Sequence, residues 1–420
     1  MKHPSTPVTE GCPFDCGLCA NHRQRTCTAV MEVTQRCNLK CTFCFASAGG
    51  REGDCSLTQI RNWYHSLLAA GGPCNVQISG GEPTLRNDLP DIVAMGRDLG
   101  FKFIQLNTNG LRLSHDLAFL RSLKEAGLDS LFLQFDGTDP EITRQLRGGD
   151  YLKDKMETVR RCGDLGIGVT LVPTVVRGIN DHNLGDMVRF ALEQLPIVRG
   201  IHFQPASYFG RIPHAPGDDD RITIPEVIAG IEEQTQGWMK ADNFRPPGCE
   251  NALCSFHGNF ILMEDGTLVP TTRHEPATNC CNPVETAAEG AQQSIHFVAT
   301  HWSAVEPEPT ETPSPCGCTS SSDCGCNSGA TVSPAAASSG VAGLQALDAF
   351  IDRARTHTLC ISGMAFQDVW NIDLERLRDC CIHTVAPNGK LIPFCAYNLT
   401  DAAGNYLYRG QGRTTRVPVL

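Results

Sequence analysis

Six short, mostly apolar runs rich in β-favouring residues alternate with longer stretches whose apolar positions recur every three or four residues. The runs cover 30–33, 76–79, 103–106, 131–135, 169–172 and 201–204, and the amphipathic stretches cover 57–70, 88–99, 115–126, 152–165, 182–195 and 225–236. Four or five apolar residues make a buried strand, and a 3.6-residue period gives a helix one apolar face. The alternation therefore predicts repeated βα units and a parallel sheet. Ser56, Asn87 and Ser114 stand where N-caps belong, because their side chains accept from first-turn amides. Six units rather than eight predict an α/β fold, a partial (βα)6 barrel over 29–238 that is open on one side. In such architectures reactive groups collect on the loops after the C-terminal ends of the strands.

Around this barrel the chain changes character. Residues 1–28 are rich in cysteine, and 239–281 with 346–420 carry glycine-punctuated, strand-like pieces that predict a small C-terminal domain. Between them, 282–345 is dominated by Ser, Ala, Pro, Thr and Glu, with no aromatic residue between Trp302 and Phe350, so it is expected to lack ordered structure.

The chemistry starts just after the first strand, where Cys37, Cys41 and Cys44 follow one another at x3 and x2 spacing. Iron-sulfur clusters normally use four thiolates, so a tight trio holds three irons of a cubane and leaves the fourth open for chemistry. A structural zinc knot would want four ligands, usually as paired CxxC elements, and a disulfide framework belongs to short secreted chains. With Phe43 as the aromatic, Cx3CxΦC resembles the signature of the radical S-adenosylmethionine (radical SAM) enzymes. That resemblance implies a 4Fe-4S cluster whose vacant iron is chelated by the amine and carboxylate of SAM.

Later strand ends extend the likeness. Ser79-Gly80-Gly81-Glu82-Pro83 resembles the element with which these enzymes bind the SAM amino group: glycines permit close backbone approach and a carboxylate accepts from an ammonium. Asn107 and Asn109 after the third strand, Asp136 after the fourth, Pro173 and Thr174 after the fifth and Gln204 after the sixth are implied to hold ribose, adenine or substrate. Each also suits an ordinary turn.

Cysteine supplies 22 of the 420 residues, far more than one site needs. Cys12, Cys16, Cys19 and Cys27 have the spacing of a metal knuckle for zinc, iron or a second cubane, with His22 as a substitute for Cys27. Cys249, Cys254, Cys280 and Cys281 precede the low-complexity segment, and Cys360, Cys380, Cys381 and Cys395 follow it. The expected partition puts the last four in one auxiliary centre and Cys249 with Cys254 in another. Cys316, Cys318, Cys324 and Cys326 form two CxC pairs suited to a soft metal or to disulfide exchange. Cys55, Cys74 and Cys162 stand alone within the barrel and are expected only to pack.

A net charge of -11 and the absence of a basic block argue against nucleic acid or anionic lipid surfaces as partners. Residues 1–28 do not read as a secretory leader and no apolar run is long enough to span a membrane, which predicts a reducing cytoplasm. More narrowly, the cysteine-rich lead-in before the trio and the tail around 363–398 look like the tetraether lipid synthase group and, more closely, bacterial radical SAM (seleno)proteins labelled TrsS. The likeness covers about 11–281 and 357–409.

The resemblance implies reduction of the cluster by a flavodoxin or ferredoxin, cleavage of SAM to methionine and a 5'-deoxyadenosyl radical, and hydrogen abstraction from an unactivated C–H bond. The substrate expected first is a lipid chain. The alternatives are a peptide or a sulfur- or selenium-containing metabolite and, remotely, no reaction at all but a metal or cluster carrier.

Overall fold

The computed structural model describes residues 6–49, 53–272, 286–305, 347–400 and 405–409. Its core is a run of parallel strands with helices packed outside. β1 (Thr28–Thr34), β2 (Asn75–Gly80), β3 (Ile104–Thr108), β4 (Ser130–Gln134), β5 (Gly168–Val172) and β7 (Val198–Pro205) lie side by side in chain order, and the two-residue β6 (Thr174–Val175) pairs with β7. The six expected strands fall on these six. They are legible because strands in the middle of a parallel sheet bury both faces and read as continuous apolar runs. Helices α1 (Leu57–Gly71), α2 (Leu89–Asp98), α3 (Leu117–Glu125), α5 (Leu152–Leu165), α6 (Leu184–Glu193) and α7 (Ile224–Gln234) follow the amphipathic stretches. Ser56 caps α1 as expected, whereas Asp116 rather than Ser114 caps α3, and Asp88 rather than Asn87 occupies the cap position of α2.

A further helix, α4 (Pro140–Arg147), was not among those expected. Asp139 accepts from the Glu141 amide, Pro140 sits in the first turn where its missing N–H costs nothing, and Gly148 closes the helix in the left-handed region.

The sheet does not stop at residue 238. β10 (Thr358–Met364) joins β7 in parallel, with Cys360 opposite Gly200, and β11 (Ile382–Val385) joins β1 in parallel, with Ile382 opposite Thr28. Antiparallel partners finish both edges: β8 (Ser255–Leu262) and β9 (Leu268–Pro270) beyond β10, and β12 (Leu391–Pro393) beyond β11. The C-terminal residues are therefore flanks of the barrel sheet rather than a separate layer.

Part of the segment expected to be unordered is helical. In α8 (Ala287–Trp302), Thr286 and Glu289 form a capping box, and Ile295, Val298 and Trp302 supply an apolar stripe. The helix crosses beneath the N-terminal ends of the strands. Asn75, first in β2, donates to the Ile295 carbonyl at 3.2 Å, and Arg199 in β7 donates to that of His301 at 3.2 Å. Gly168, first in β5, leaves no room for a side chain: a Cβ there would lie 2.4 Å from the Trp302 carbonyl. Averaging composition over 282–345 hid this helix. Cys280, Cys281, Cys316, Cys318, Cys324 and Cys326 lie outside the described residues.

After α9 (347–356), β10, α10 (Leu374–Arg378), β12 and α11 (Phe394–Asn398), the chain returns to the first strand. The Arg409 guanidinium pairs with Glu32 of β1, Tyr406 donates to the Phe45 carbonyl at 2.8 Å, and the Tyr408 hydroxyl accepts from the Cys16 amide at 2.9 Å. Among the described residues no helix is long and apolar enough to cross a membrane.

Candidate functional site

The loop after β1 carries the cysteine trio, and neighbouring elements fix its backbone. α4 presents its last carbonyls to it: Leu146 O accepts from Thr42 N and Gln145 O from Thr42 Oγ1, both at 3.0 Å. Arg211 donates to Cys41 O at 2.8 Å and exchanges two backbone bonds of 3.0 Å with Cys44. Cys37, Cys41 and Cys44 all line one large cavity. Burial pushes the Cys37 thiol up to about 11. A thiol in such surroundings keeps its proton until a metal takes its place. The three sulfurs are not gathered within 4.8 Å as ligands of a single ion would be. Three thiols spread around open space fit a cluster.

Gly80 and Gly81 serve the packing of β2 against this loop. A Cβ on Gly80, whose φ is +133°, would lie 2.2 Å from Thr34 O, and one on Gly81 would lie 2.2 Å from Arg36 O. Without side chains they let the Gly81 amide donate to Thr34 O and the Glu82 amide to Arg36 O, each at 2.8 Å. Glu82 then ties β2 to β3. Its Oε1 accepts from Thr84 N (3.0 Å), Thr84 Oγ1 (2.6 Å) and Thr108 Oγ1 (2.7 Å), and its Oε2 accepts from Asn109 N at 2.7 Å. Oε2 keeps acceptor capacity for an ammonium on the cavity side, which Glu82 lines. Asn109 donates to Asn38 Oδ1 at 2.8 Å, holding the loop between Cys37 and Cys41. Asn107 lines the cavity with an Oδ1 that has no hydrogen-bond partner.

Of the remaining expected residues, Phe43, Thr174 and Gln204 line the cavity, whereas Pro83, Asp136 and Pro173 do not. Asp136 is fully buried and spent. Oδ1 accepts from Arg147 Nη2 (2.6 Å) and Thr174 N (3.1 Å), and Oδ2 accepts from Arg147 Nε (2.7 Å). The group that reaches the cavity here is Arg147, which sequence reasoning missed. It also donates to Thr174 Oγ1 at 2.8 Å and to Phe43 O at 3.4 Å. The signal available was an arginine on the turn before Gly148, at the end of a helix whose cap and proline were readable.

The cavity measures about 910 Å³ and runs from the trio down through the barrel to α8. Amides form a ladder along one wall: Gln77 donates to Gln105 at 2.8 Å, and Gln105 to Ser130 at 3.2 Å. Another wall is aromatic, with the Phe132 and Trp302 rings stacked at 5.8 Å. Near the floor, His257 Nδ1 and Asn259 Oδ1 are buried without partners. Burial holds the His202 imidazole down at about 4, so it is neutral near pH 7 beside the Ser362 hydroxyl 2.9 Å away.

The other thiols regroup. Cys27 leaves the N-terminal knuckle and meets Cys249 and Cys381, their ligand atoms all within 4.8 Å of one another. Both neighbours donate toward Cys249, which holds its thiol well below the usual range. Cys254, Cys380 and Cys395 surround a second, much smaller cavity, where Arg376 Nε lies 3.2 Å from Cys254 Sγ. Cys12, Cys16 and Cys19 stay together, their loop wound around an Asp15 carboxylate that accepts from the amides of Thr9, Glu10 and Gly11. His22 instead faces His383, Nε2 to Nε2, at 3.1 Å.

The expected foursome of Cys360, Cys380, Cys381 and Cys395 is thus corrected, as is the pairing of Cys249 with Cys254. Cys360 lies in β10 beside β7, whereas Cys380 and Cys381 lie just before β11 at the opposite flank. Cys380 lies around the small cavity with Cys254 and Cys395, whereas the Cys381 sulfur gathers with Cys27 and Cys249, so these chain neighbours serve different groups. Cys74 and Cys162 are buried in the main core with Cys55 packed against it, in the packing role expected of them.

Residues 31–191 match the family model described as the radical SAM superfamily. The chain is 34% identical over 424 residues to a 7,8-dihydro-6-hydroxymethylpterin dimethyltransferase of Methanocaldococcus jannaschii, spanning 94% of this chain and 81% of that protein. It is 30% identical over 287 residues to a GTP 3',8-cyclase of Alkaliphilus oremlandii, spanning 63% of this chain and 87% of that protein. Among solved structures, Streptococcus suis SuiB shares 16% identity at a TM-score of 0.42, over 51% of this chain and 46% of that one. anSMEcpe with bound AdoMet shares 18% at a TM-score of 0.41, over 50% and 59%.

Proposed function

The chain belongs to the radical SAM superfamily, and from that premise we propose that it abstracts hydrogen from an unactivated C–H bond of a small polar molecule held between two thiol groups. It is an iron-sulfur enzyme that uses a 4Fe-4S cluster and SAM. The chemistry these supply when bound is one-electron cleavage of SAM to methionine and a 5'-deoxyadenosyl radical. Everything else falls to the chain. Cys37, Cys41 and Cys44 would hold the cluster, Glu82 would accept from the SAM ammonium, and Arg147, paired with Asp136, would hold the loop that carries the cluster through its bond to the Phe43 carbonyl. α8 closes the cavity below.

One observation carries the reading: a single cavity touches the trio at one end and Cys27 and Cys381 at the other. A substrate in it would meet the radical on one side and an auxiliary centre on the other. The amide ladder of Gln77 and Gln105, with the unpartnered oxygens of Asn107 and Asn259, favours a ligand edged with hydrogen-bond donors. A reduced heterocycle of the kind named in the dimethyltransferase relative has such edges. A second reading, a lipid chain, is favoured by the apolar wall of Phe103, Phe132, Val172 and Trp302. A peptide or a sulfur- or selenium-containing metabolite would use the same chemistry. Flavodoxin or ferredoxin would be the reductant, in the cytoplasm.

The test is anaerobic reconstitution with iron and sulfide, followed by SAM and dithionite, with 5'-deoxyadenosine read by mass spectrometry. Formation in the parent chain and none in Cys41→Ala supports the reading. Equal formation in both removes the trio from the chemistry. Transfer of deuterium from a labelled candidate into 5'-deoxyadenosine then separates heterocycle from lipid.

A further inference from the structure

Cys27, Cys249 and Cys381 come from three distant parts of the chain, yet the fold locks them together. The Cys27 amide donates to the Cys381 carbonyl at 2.8 Å, and Gln24 Nε2 donates to the Cys249 carbonyl at 2.8 Å. All three are buried, with ligand atoms within 4.8 Å of one another. A tetrahedral thiolate site with metal–sulfur bonds near 2.3 Å spaces its sulfurs about 3.8 Å apart, so the donors are already collected for one centre. Three thiols leave one position open, and no fourth thiol among the described residues gathers with them.

Glu250 stands beside that position: its carboxylate approaches Cys381 but is not among the ligand atoms gathered within 4.8 Å, so it joins them by a turn of its side chain. It follows Cys249, its Oε1 lies 3.8 Å from Cys381 Sγ, and its Oε2 is held by the Ser255 hydroxyl at the start of β8. Its side chain also lines the large cavity. We propose that Cys27, Cys249 and Cys381 hold an iron centre whose fourth protein ligand is the Glu250 carboxylate, on the side that faces the cavity. The inference rests on the proposed function only in taking iron as the metal. It adds a ligand that cysteine spacing does not reveal, because an oxygen donor beside three sulfurs belongs to no cysteine motif. A carboxylate is harder than a thiolate, so this centre carries a spectroscopic signature distinct from an all-sulfur one.

The test uses the full chain with Cys37, Cys41 and Cys44 changed to Ala, so that the trio's cluster does not contribute. After anaerobic reconstitution with iron-57 and sulfide, iron content and Mössbauer spectra are compared for this parent and for Glu250→Gln, Glu250→Cys and Cys249→Ala. Cys249→Ala is expected to lose one centre. Glu250→Gln is expected to alter the spectrum of that same centre or lose its iron, and Glu250→Cys to keep the iron with a shift toward an all-thiolate spectrum. Loss of iron in both Glu250 variants overturns the assignment, as does an unchanged spectrum in both. A spectral change on Cys280→Ser or Cys281→Ser with none on Glu250→Gln also overturns it. 5'-Deoxyadenosine formation by Glu250→Gln in the otherwise unchanged chain is measured separately. Its outcome bears on the proposed function and leaves the ligand test standing.

Discussion

Arg147 and Asp136 form a two-point ion pair, 2.6 Å from Nη2 to Oδ1 and 2.7 Å from Nε to Oδ2, with Asp136 wholly buried and Arg147 only 4% exposed. A charge pair withdrawn from water is sustained only when its remaining donors and acceptors are also met. Here Thr174 and the Phe43 carbonyl meet them, so the pair joins the ends of β4 and β5 to the loop that carries the trio. Removing one partner leaves the other charged and alone, at a cost of about 3–5 kcal/mol. Asp136→Ala is therefore expected to lower stability by that amount in urea unfolding and to lose iron from the trio. The double variant Asp136→Ala/Arg147→Leu, with no orphaned charge, should recover part of the loss. If it is no more stable than Asp136→Ala alone, the pair is not what holds this corner.

The glycine pair gives a sharper test. A Cβ on Gly81 would overlap the Arg36 carbonyl at 2.2 Å, and the obstacle is backbone that cannot rotate away. Gly81→Ala should push β2 away from the cysteine loop, break the 2.8 Å bonds from the Gly81 and Glu82 amides, and spread the trio. The expected result is loss of the trio's iron and of 5'-deoxyadenosine formation, with the iron bound near Cys249 retained. Gly53→Ala, where a Cβ would meet nothing within 4 Å, serves as the control and should keep both.

Burial also acts on Lys155, which is fully buried beside the site. Its Nζ donates to the Asn109 carbonyl at 2.8 Å, and desolvation lowers its pKa from 10.5 to about 8. Between those two values the unfolded chain holds the proton and the folded chain has released it. Stability therefore rises with pH from about 8 to 10.5, and below pH 8 the buried cation carries its full cost. At roughly 1.4 kcal/mol per unit over about 2.5 units, the gain is about 3–4 kcal/mol. Lys155→Met should lack this rise when unfolding is followed between pH 7.5 and 10.5. Parallel curves for the two proteins would show that the ammonium is not desolvated.

What the sequence conveyed and what it withheld divide along physical lines. β1 to β5 and β7 were readable because buried parallel strands are locally apolar, and the first five are neighbours in chain order as well as in the sheet. β10 and β11 were not placed, since nothing local says that Cys360 pairs with Gly200 or Ile382 with Thr28. The same gap scattered the thiols: Cys27, Cys249 and Cys381 share no spacing, and only the closing of the sheet flanks brings them together. Asp136 is expected from its place after a strand to face ribose, adenine or substrate, but its partner Arg147 takes the cavity-facing place, because a side chain's direction is set by packing rather than by order. α8 was lost to averaging, although Thr286 and Glu289 had the spacing of a capping box.

That helix yields the last prediction. Trp302 is 8% exposed, packs with Phe103, Phe132 and Val172, and anchors the C-terminal end of α8 under the barrel. Truncating a buried tryptophan typically costs about 3–5 kcal/mol, through lost burial and the cavity left behind. Trp302→Ala is expected to speed amide exchange along Ala287–Trp302 by orders of magnitude while exchange in β1 to β4 stays slow. Because the trio lies at the other end of the cavity, SAM cleavage to 5'-deoxyadenosine should persist. Hydrogen transfer from substrate, which depends on a closed floor, should fall. If exchange accelerates equally in β1 to β4, Trp302 supports the whole barrel, and α8 is not a separable floor.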